Sequence, residues 1–458
     1  MKQLIRVILL SFIGCVTVSG TGCSRFLNKM TNMTIVYSND ILGELDNCGC
    51  SEGQFGGLPR KAAAFNGIRQ AAPHAVHLDA GNLFFQKTPQ NDIERSQMVM
   101  KAEYIVKAYN TIGCEALNIG QTDLLLGVNV LQQLQHQALF PFVSSNIFYR
   151  ATGEPVFKQY SICQVDGLKI GILGVCPPDA PHAESIVIAD PADAAREALK
   201  TIEGQSDMVI LLSTCGKETD KRLAALFPEV RIIVSGNTDS NTSTGNIDAD
   251  TAIVSSKKQG QCLGRLDVAV KQSPFASAAS LTFNNTLIPL NDALTGDSHI
   301  AEMVKDYTAR VNGMNKQALF KKKRETSGQA IHADYSYTGA DACTTCHPAQ
   351  YDNWLQSAHA GAYKTLADKG RNFDTECLSC HTTGYGETGG YDVSQADASP
   401  LLGVQCESCH GPGSNHKEKG TILRTVGPEV CVSCHAEKHS PRFNYKEYVP
   451  IIACPSGH

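Results

Sequence analysis

Four copies of the pentapeptide Cys-x-x-Cys-His constrain this chain more than any other feature of its sequence. They are Cys343/Cys346/His347, Cys377/Cys380/His381, Cys406/Cys409/His410 and Cys431/Cys434/His435. This spacing attaches c-type haem, because the two thiols bond one porphyrin and the histidine ligates its iron. Chance would supply roughly 0.02 such motifs in a chain of this composition. Zinc knuckles or disulfides would not repeat this pentapeptide, so the sequence predicts four covalent haems.

The four motifs fall within residues 337–458, which leaves little protein for each haem. So short a segment buries only a small core of its own, and the macrocycles must supply much of it. We therefore expect a loop-rich, mainly α-helical domain of short helices without a sheet. Haems this close together suit rapid electron hopping.

A second histidine on an iron closes it to substrates and favours electron transfer. Five histidines lie in or beside the segment: His332, His359, His416, His439 and His458. A lone surface histidine is usually only solvated, but five beside one small haem segment are better explained as mostly ligands. Their spacing alone does not pair them with individual haems.

The segment 337–458 resembles the cytochrome c554 family of tetrahaem and larger electron-transfer proteins. The resemblance rests on the pattern YTGADACTTCH…YDNWLQSAHAGAYKTL…CLSCHTTGYGETGGY…LLGVQCESCHGPGSNH…CVSCH. It implies three distal ligands, which are His359, His416 and His458. It also implies that the fourth distal position holds His439 or His332, or that this haem is five-coordinate.

The residues before this segment follow a different pattern. Apolar runs predict buried strands at MTIVYSND, HAVHLDAGN, EALNIG, PFVSSNI, KIGILGVC, DMVILLST and RIIVSGN. Helical stretches lie between them, as at Ala192–Ile202 and Lys217–Leu226. Asp297–Lys323 predicts a late amphipathic helix that runs into a basic, solvated linker. The alternation indicates an α/β domain of layered sheet and helices.

The order of these strand ends resembles the periplasmic 5′-nucleotidase branch of the calcineurin-like metallophosphoesterases, over the whole domain. That family holds two metal ions with Asp-x-His, Gly-Asp, Gly-Asn-His-Glu, Ser-His and Gly-His-x-His. Asp40 keeps the first aspartate here. Different residues stand at the other ligand positions, namely Leu42, Asn82, Gln121, Thr122, Thr214, Asn237 and Asp239. A two-metal hydrolase needs a bridging carboxylate and several imidazoles, so we expect phosphoester hydrolysis to be lost.

Four cysteines map to the same strand ends: Cys48, Cys50, Cys176 and Cys215. Loops at the carboxyl ends of strands converge on one crevice in α/β folds. These cysteines are either a disulfide or inert buried thiols, or they form a thiol redox or soft-metal site, with Cys48 and Cys50 as the candidate redox thiols. The remaining cysteines of the domain carry no pattern and are expected to be structural: Cys114, Cys163 and Cys262. Cys454 is close to His458 and is expected near a haem edge.

The chain begins with a targeting segment. The short apolar run Val7–Gly20 follows basic residues and fits a signal peptide better than a transmembrane helix. It ends at Gly-Thr-Gly-Cys23, which resembles the lipobox of bacterial lipoproteins, although Gly20 stands where leucine is usual. Either Cys23 is acylated and tethers the protein without spanning the membrane, or the signal is simply cleaved.

The sequence thus predicts four parts. They are a signal peptide at 1–22, a degenerate 5′-nucleotidase-like domain at 32–320, a linker at 321–336 and a tetrahaem cytochrome c554-like domain at 337–458. This combination resembles lipoproteins of bacterial outer-membrane electron conduits, one group of which includes selenoproteins. The resemblance implies an extracytoplasmic, lipid-anchored protein whose partners are other cytochromes or conduit proteins.

Three functions of different classes stay open. The first is electron transfer, with the N-terminal domain as a docking or thiol redox module. The second is reduction of a small substrate at the thiol crevice or at an open haem. The third is hydrolysis with an attached cytochrome. The net charge of −5 gives no reason to expect nucleic acid as a partner.

Overall fold

A computed structural model describes residues 29–48, 55–180, 184–237, 246–247, 251–272, 280–326, 335–395, 398–414, 416, 426–436, 440 and 442–454. Several predicted features lie outside these residues: the signal segment, Cys23, Cys50, Asp239, His332, His439 and His458. The described residues form an α/β domain followed by a segment of short helices.

Two six-stranded sheets form the centre of the N-terminal domain. The first contains β1 (Lys29–Ser38), β4 (Val76–Asp79), β5 (Cys114–Asn118), β6 (Phe142–Val143), β15 (Cys262–Gln272) and β16 (Ser280–Pro289). Its spatial order is β16-β15-β1-β4-β5-β6. The pairs β1–β4, β4–β5 and β5–β6 are parallel. Strand β15 pairs antiparallel with both β1 and β16.

The second sheet contains β8 (Tyr160–Val165), β9 (Leu168–Val175), β11 (Met208–Ser213), β12 (Val230–Ser235), β13 (Asn246–Ile247) and β14 (Ala252–Val254). Its order is β13-β14-β12-β11-β9-β8. Two short antiparallel pairs stand apart from the sheets: β2 (Asn47–Cys48) with β3 (Phe55–Gly56), and β7 (Ile147–Tyr149) with β10 (Ile186–Ile188).

Helices cover the outer face of each sheet. The first sheet is covered by α1 (Leu58–Ala71), α2 (Asp92–Ile112), α3 (Val128–Gln137) and α6 (Ser298–Thr326), and the second by α4 (Pro191–Ile202) and α5 (Lys217–Leu226). Apolar side chains such as Ile35, Ile172 and Ile210 fill the space between the sheets. The domain is therefore a four-layer sandwich, because each sheet buries one face against the other and one against helices.

The C-terminal segment is built from short helices. They are α7 (Pro348–Leu355), α8 (Ala362–Asp368), α9 (Thr375–His381), α10 (Cys406–His410), α11 (Pro428–Val432) and α12 (Tyr445–Ile452). One small apolar cluster, which includes Tyr363 and Leu378, lies among them. The described residues of this segment contain no strand beyond an isolated bridge between Thr382 and Leu402. The predicted loop-rich helical architecture is confirmed.

The predicted strands and helices of the N-terminal domain are present, with two differences. Helix α6 continues to Thr326 and so includes the start of the predicted linker 321–336. Lysine and arginine are good helix formers, and no proline or glycine lies between Lys321 and Gly328. The antiparallel strands β8, β15 and β16 were not predicted. Across the described residues, no helix combines the length and apolar character that crossing a bilayer requires.

Candidate haem sites and the neighbouring crevice

Strand ends from both sheets come together at the place where the sequence predicts a crevice, and the name crevice is kept for this cluster of strand ends. Asp40 follows β1, and Asn82 and Asn237 follow β4 and β12. The Asn82 Nδ2 group donates to Asp40 Oδ1 over 2.7 Å, and the Asn237 N–H donates to Asp40 Oδ2 over 2.8 Å. Thr122 donates its backbone N–H to Asn82 Oδ1 over 2.9 Å. These four residues therefore form a single hydrogen-bonded cluster.

The Asp40 carboxylate is occupied by amide donors. Asn39 Nδ2 also donates to Asp40 Oδ2, over 2.9 Å, so both carboxylate oxygens accept hydrogen bonds. Burial raises the pKa of Asp40, against the opposing effect of these donors. Within the described part of the chain, no group of three or more His, Cys, Asp or Glu side chains is arranged to hold a metal ion. In this arrangement the Asp40 carboxylate accepts hydrogen bonds from neighbouring amide groups.

The backbone at the crevice is in an unusual conformation. Asp40, Leu42, Asn82 and Asn237 have φ values of 50°, 56°, 57° and 52°. The left-handed region is unfavourable for residues other than glycine, and such strain persists where the surrounding fold over-determines it. The strand ends are thus held in fixed, strained turns that direct these residues to the crevice.

Two of the predicted crevice thiols lie at adjacent strand ends. Burial raises the pKa of Cys176 well above its ordinary value, and the neighbouring Cys215 thiol adds to the rise. Burial also raises the pKa of Cys215 to about 12. Both are free thiols. A thiol held protonated is a poor nucleophile, so the structure favours the inert alternative for this pair.

The other cysteines of the domain occupy different environments. Cys114, Cys163 and Cys262 are buried free thiols, as expected for structural cysteines. Cys48 lies in β2 and pairs with Phe55 across the short β2–β3 ladder, whereas Cys50 lies outside the described residues.

Each haem motif lies on one helical turn. In the first and fourth motifs the histidine N–H donates to the carbonyl of the first cysteine over 2.9 Å, from His347 to Cys343 and from His435 to Cys431. Helices α9 and α10 hold the second and third motifs. Residues four apart share one face of a helix. Each motif therefore presents a thiol and an imidazole on the same side, as attachment of one haem requires.

Cys346, the second cysteine of the first motif, differs in exposure from the other cysteines that the sequence predicts to attach haem. Cys346 is exposed, whereas the other seven motif cysteines are half-buried. The helix that follows it, α7, buries none of its residues, so little protein covers this part of the segment. The assignment of Cys346 to haem rests on its place in the first Cys-x-x-Cys-His motif.

Two of the motif histidines face a histidine from elsewhere in the chain. The ring centres of His347 and His416 are 6.4 Å apart, and those of His359 and His435 are 6.1 Å apart. A first-row metal lies about 2 Å from an imidazole nitrogen, so two imidazoles on opposite sides of one iron have ring centres about 6 Å apart. Both pairs have the spacing that a six-coordinate haem iron would need.

Hydrogen bonds orient two further ring nitrogens. His381 Nδ1 lies 2.7 Å from the carbonyl oxygen of Ala362, which only accepts, so Nδ1 carries the proton and Nε2 is left with its lone pair. His435 Nδ1 lies 3.1 Å from Ser440 Oγ. Burial lowers the pKa of His359 and of His435, which favours the neutral imidazole that ligates metals. These histidines are oriented as iron ligands commonly are, through their second nitrogen.

Side-chain contacts bring the motifs together in pairs. The Cys343 thiol is in hydrogen-bonding contact with Cys406, and the Cys434 thiol with Cys380. The first motif is therefore next to the third, and the second next to the fourth. Cys454 lies near Cys406 and Cys409 of the third motif, and its position at a haem edge stays a prediction.

The packing around the motifs leaves room for the macrocycles. Helices α7, α11 and α12 bury none of their residues. Leu355, Val432 and Ile451 on these helices are at least half exposed, at 56%, 50% and 74%. Haems are large and apolar, and they would cover such surfaces, because the segment has little core of its own. The residues present therefore fit covalently bound haem.

One site residue was missed by the sequence reasoning. Glu407 lies inside the third motif and is buried, and its carboxylate accepts hydrogen bonds from the backbone N–H groups of Thr338, Gly339 and Gly413. It fastens the start of the segment to the third motif. A glutamate at a variable position of Cys-x-x-Cys-His gives no sequence signal for this role.

Comparisons with known proteins divide the chain in the same way. Residues 342–411 match the family described as cytochrome c554 and c-prime, and residues 399–440 match the doubled CXXCH motif. Cytochrome c-554 of Nitrosomonas europaea is 36% identical over 124 residues, which are 23% of this chain and 52% of that protein. The 5′-nucleotidase of Bos taurus is 27% identical over 235 residues, which are 47% of this chain and 39% of that protein.

A solved structure supports the fold of the N-terminal domain. The 5′-nucleotidase precursor of Thermus thermophilus aligns with a TM-score of 0.52 and 20% identity, over 74% of this chain and 68% of that one. The chain spans about half the length of the cytochrome relative and about two fifths of the mammalian nucleotidase. It therefore joins a nucleotidase-like α/β fold to a cytochrome c554-like multihaem segment, and haem c is the cofactor that its motifs attach.

Proposed function

We propose that this protein transfers electrons through four covalently attached haems. The observation that carries the proposal is the pair of histidine spacings, 6.4 Å for His347 and His416 and 6.1 Å for His359 and His435. When bound, haem supplies an iron that cycles between the ferric and ferrous states. An iron held between two imidazoles has no open position for a substrate, which favours electron transfer over catalysis.

The chain's own residues then have distinct tasks. The paired cysteines of each motif hold a haem covalently, and His347, His381, His410 and His435 are the proximal ligands. His416 serves the first haem from the distal side and His359 the fourth, and His458, with His439 or His332, is left for the other two. Contacts between Cys343 and Cys406 and between Cys380 and Cys434 support close neighbours among the haems.

Stepwise reduction of the holoprotein in a spectroelectrochemical cell tests this function. We expect the haem absorbance to change reversibly, with uptake of four electrons per chain, and to respond weakly to added carbon monoxide because few irons are open. Irreversible reduction, or carbon monoxide binding at most haems, would instead favour an oxidoreductase that acts at open haems.

For the N-terminal domain we propose a docking or thiol redox role without hydrolysis. Support comes from Asp40, whose carboxylate is occupied by amide donors. Because Cys176 and Cys215 are held protonated by burial, Cys48 and Cys50 are the remaining candidate redox thiols. Reduced protein should be alkylated at Cys48 or Cys50 faster than at the buried Cys114, and prior oxidation should block the reaction. Equal, slow alkylation at all these sites would leave docking as the role.

We also propose that the protein is an extracytoplasmic lipoprotein anchored at Cys23, with other cytochromes or outer-membrane conduit proteins as electron partners. The short apolar run before Cys23 supports this. Mass spectrometry of the mature N-terminus should find an acylated cysteine. A Cys23→Ser variant should be recovered in the soluble extracytoplasmic fraction, and retention of that variant in the membrane would argue for another anchor.

A further inference from the structure

Contacts between the N-terminal domain and the haem segment are concentrated at the residues just before the second haem motif. Asn312, on α6, donates its Nδ2 to Asn372 Oδ1 over 3.0 Å and accepts the Phe373 N–H at its Oδ1 over 2.9 Å. Lys316, one turn further along α6, places its ammonium 5.2 Å from the centre of the Phe373 ring. Phe373 is only 6% exposed. The residues just before the second motif are thus clamped onto a helix of the N-terminal domain.

The loops of the crevice reach the same segment. The loop after β4 carries Asn82 and then Lys87, whose Nζ lies 2.8 Å from Glu94 and 3.5 Å from Glu376. Glu376 immediately precedes Cys377, the first thiol of the second motif. The Lys87–Glu376 pair is exposed, so it adds little to stability, but it fixes two charges beside the attachment site.

Further charged groups surround this interface. Lys101 of α2 lies in electrostatic range of Glu44, Arg371, Asp374 and Glu376. Arg371 and Asp374 also pair with each other over 2.6 Å. The Asp374 side chain accepts from the Glu376 N–H over 3.1 Å and so caps α9, the helix that holds Cys377, Cys380 and His381. Charges from both domains therefore lie at the start of the helix that carries the second haem.

We infer that the N-terminal domain positions the second haem through Asn312 and sets its reduction potential through Lys87, which faces Glu376 of the haem segment. The inference rests on the proposed electron-transfer function and adds to it a haem that responds to the N-terminal domain. A nearby cation stabilises the electron-richer ferrous state, and a nearby anion opposes it. Lys87 therefore raises the reduction potential of this haem and Glu376 lowers it. Asn312 holds the residues before the second motif against α6. A partner that docks on the crevice loops would reach the second haem through these groups.

Stepwise reduction of full-length holoprotein variants tests the inference. The second haem's wave is first identified in a His381→Met variant, because methionine ligation raises the potential. Lys87→Gln should lower the potential of that wave and Glu376→Gln should raise it, with the other waves unchanged. Lys200→Gln is the matched control, because Lys200 forms a similar exposed pair with Glu197 on α4, which covers the other sheet. Shifts of the same sign, no shift, or equal shifts in all waves would overturn the inference.

Hydrogen exchange supplies a second readout. Asn312→Ala should increase exchange in the peptide 371–381, whereas Asn110→Ala, which removes a surface asparagine with two similar hydrogen bonds, should not. Unchanged exchange in Asn312→Ala would contradict the clamp. Failure of the proposed function itself has a different signature, since haem would then be absent or would not be reduced at all.

Discussion

At the scale of single residues, the distal histidines decide what each iron can do. His359 and His416 come from parts of the chain remote from the motifs they face, and the fold brings them to within about 6 Å, ring centre to ring centre, of His435 and His347. The family resemblance predicted both as distal ligands. Spacing in the sequence could not assign each to a haem, because that pairing depends on how loops cross in the folded segment.

Removing either histidine should open one iron. In His359→Ala and in His416→Ala we expect one haem to change from low to high spin, because the sixth ligand is lost. Electron paramagnetic resonance and the visible spectrum measure this change. His136→Ala, on α3 of the N-terminal domain, is the control and should leave all haems unchanged. Low-spin spectra in both test variants would refute the assignment.

At the scale of secondary structure, continuous apolar runs made the buried strands predictable. Strands β9, β11 and β12 are buried along nearly their whole length, and their sequences are correspondingly rich in apolar residues. β16 has no such run, because its residues alternate between exposed and half-buried positions at the sheet edge. Its place depends on pairing with β15, a non-local contact that a local pattern does not reveal.

A buried carboxylate ties three elements of the second sheet together. Asp220, on α5, accepts hydrogen bonds from Ser213 at the end of β11, over 2.5 Å, and from Ser235 at the end of β12. Burial raises its pKa from 3.8 to about 6. Since the folded state binds this proton more tightly than the unfolded state, the free energy of unfolding should fall as pH rises from about 4 to 6.

The Asp220→Asn variant should lack this pH dependence. The rise in the pKa of Asp220 corresponds to about 3 kcal/mol of unfolding free energy, which the wild-type protein should lose between about pH 4 and 6. Asparagine does not ionise, so the variant should not lose this contribution. Urea unfolding of both proteins at pH 4.5 and 6.5, followed by far-ultraviolet circular dichroism, gives the difference directly. An identical pH dependence in both proteins would show that Asp220 ionises normally in the folded state.

At the scale of the whole molecule, the sequence predicted two fold types and their order along the chain. It did not predict that the second haem motif is clamped to α6, because Asn312 and Asn372 are ordinary surface residues in the linear sequence and become partners only on folding. Glu407 was missed for the same reason. The crevice was predictable, because the strand ends follow a family pattern, while the inertness of Cys176 became clear only from its burial.

The crevice chemistry predicts that the intact protein is not a nucleotidase. With manganese or zinc added, we expect no hydrolysis of nucleotides above the background rate, because neutral Asn82 and Thr122 stand at ligand positions and Asp40 accepts amide hydrogen bonds. Elemental analysis should find haem iron without a stoichiometric second metal. Metal-dependent hydrolysis that disappears in Asp40→Ala would contradict this reading.

The number of haems is the most direct test of the central claim. Full-length protein produced in a host with haem-attachment machinery can be measured by intact-mass spectrometry under denaturing conditions, which retain only covalent adducts. The account predicts a mass increase of four haems per chain, one for each Cys-x-x-Cys-His motif. A saturating increase of three haems or fewer would contradict it.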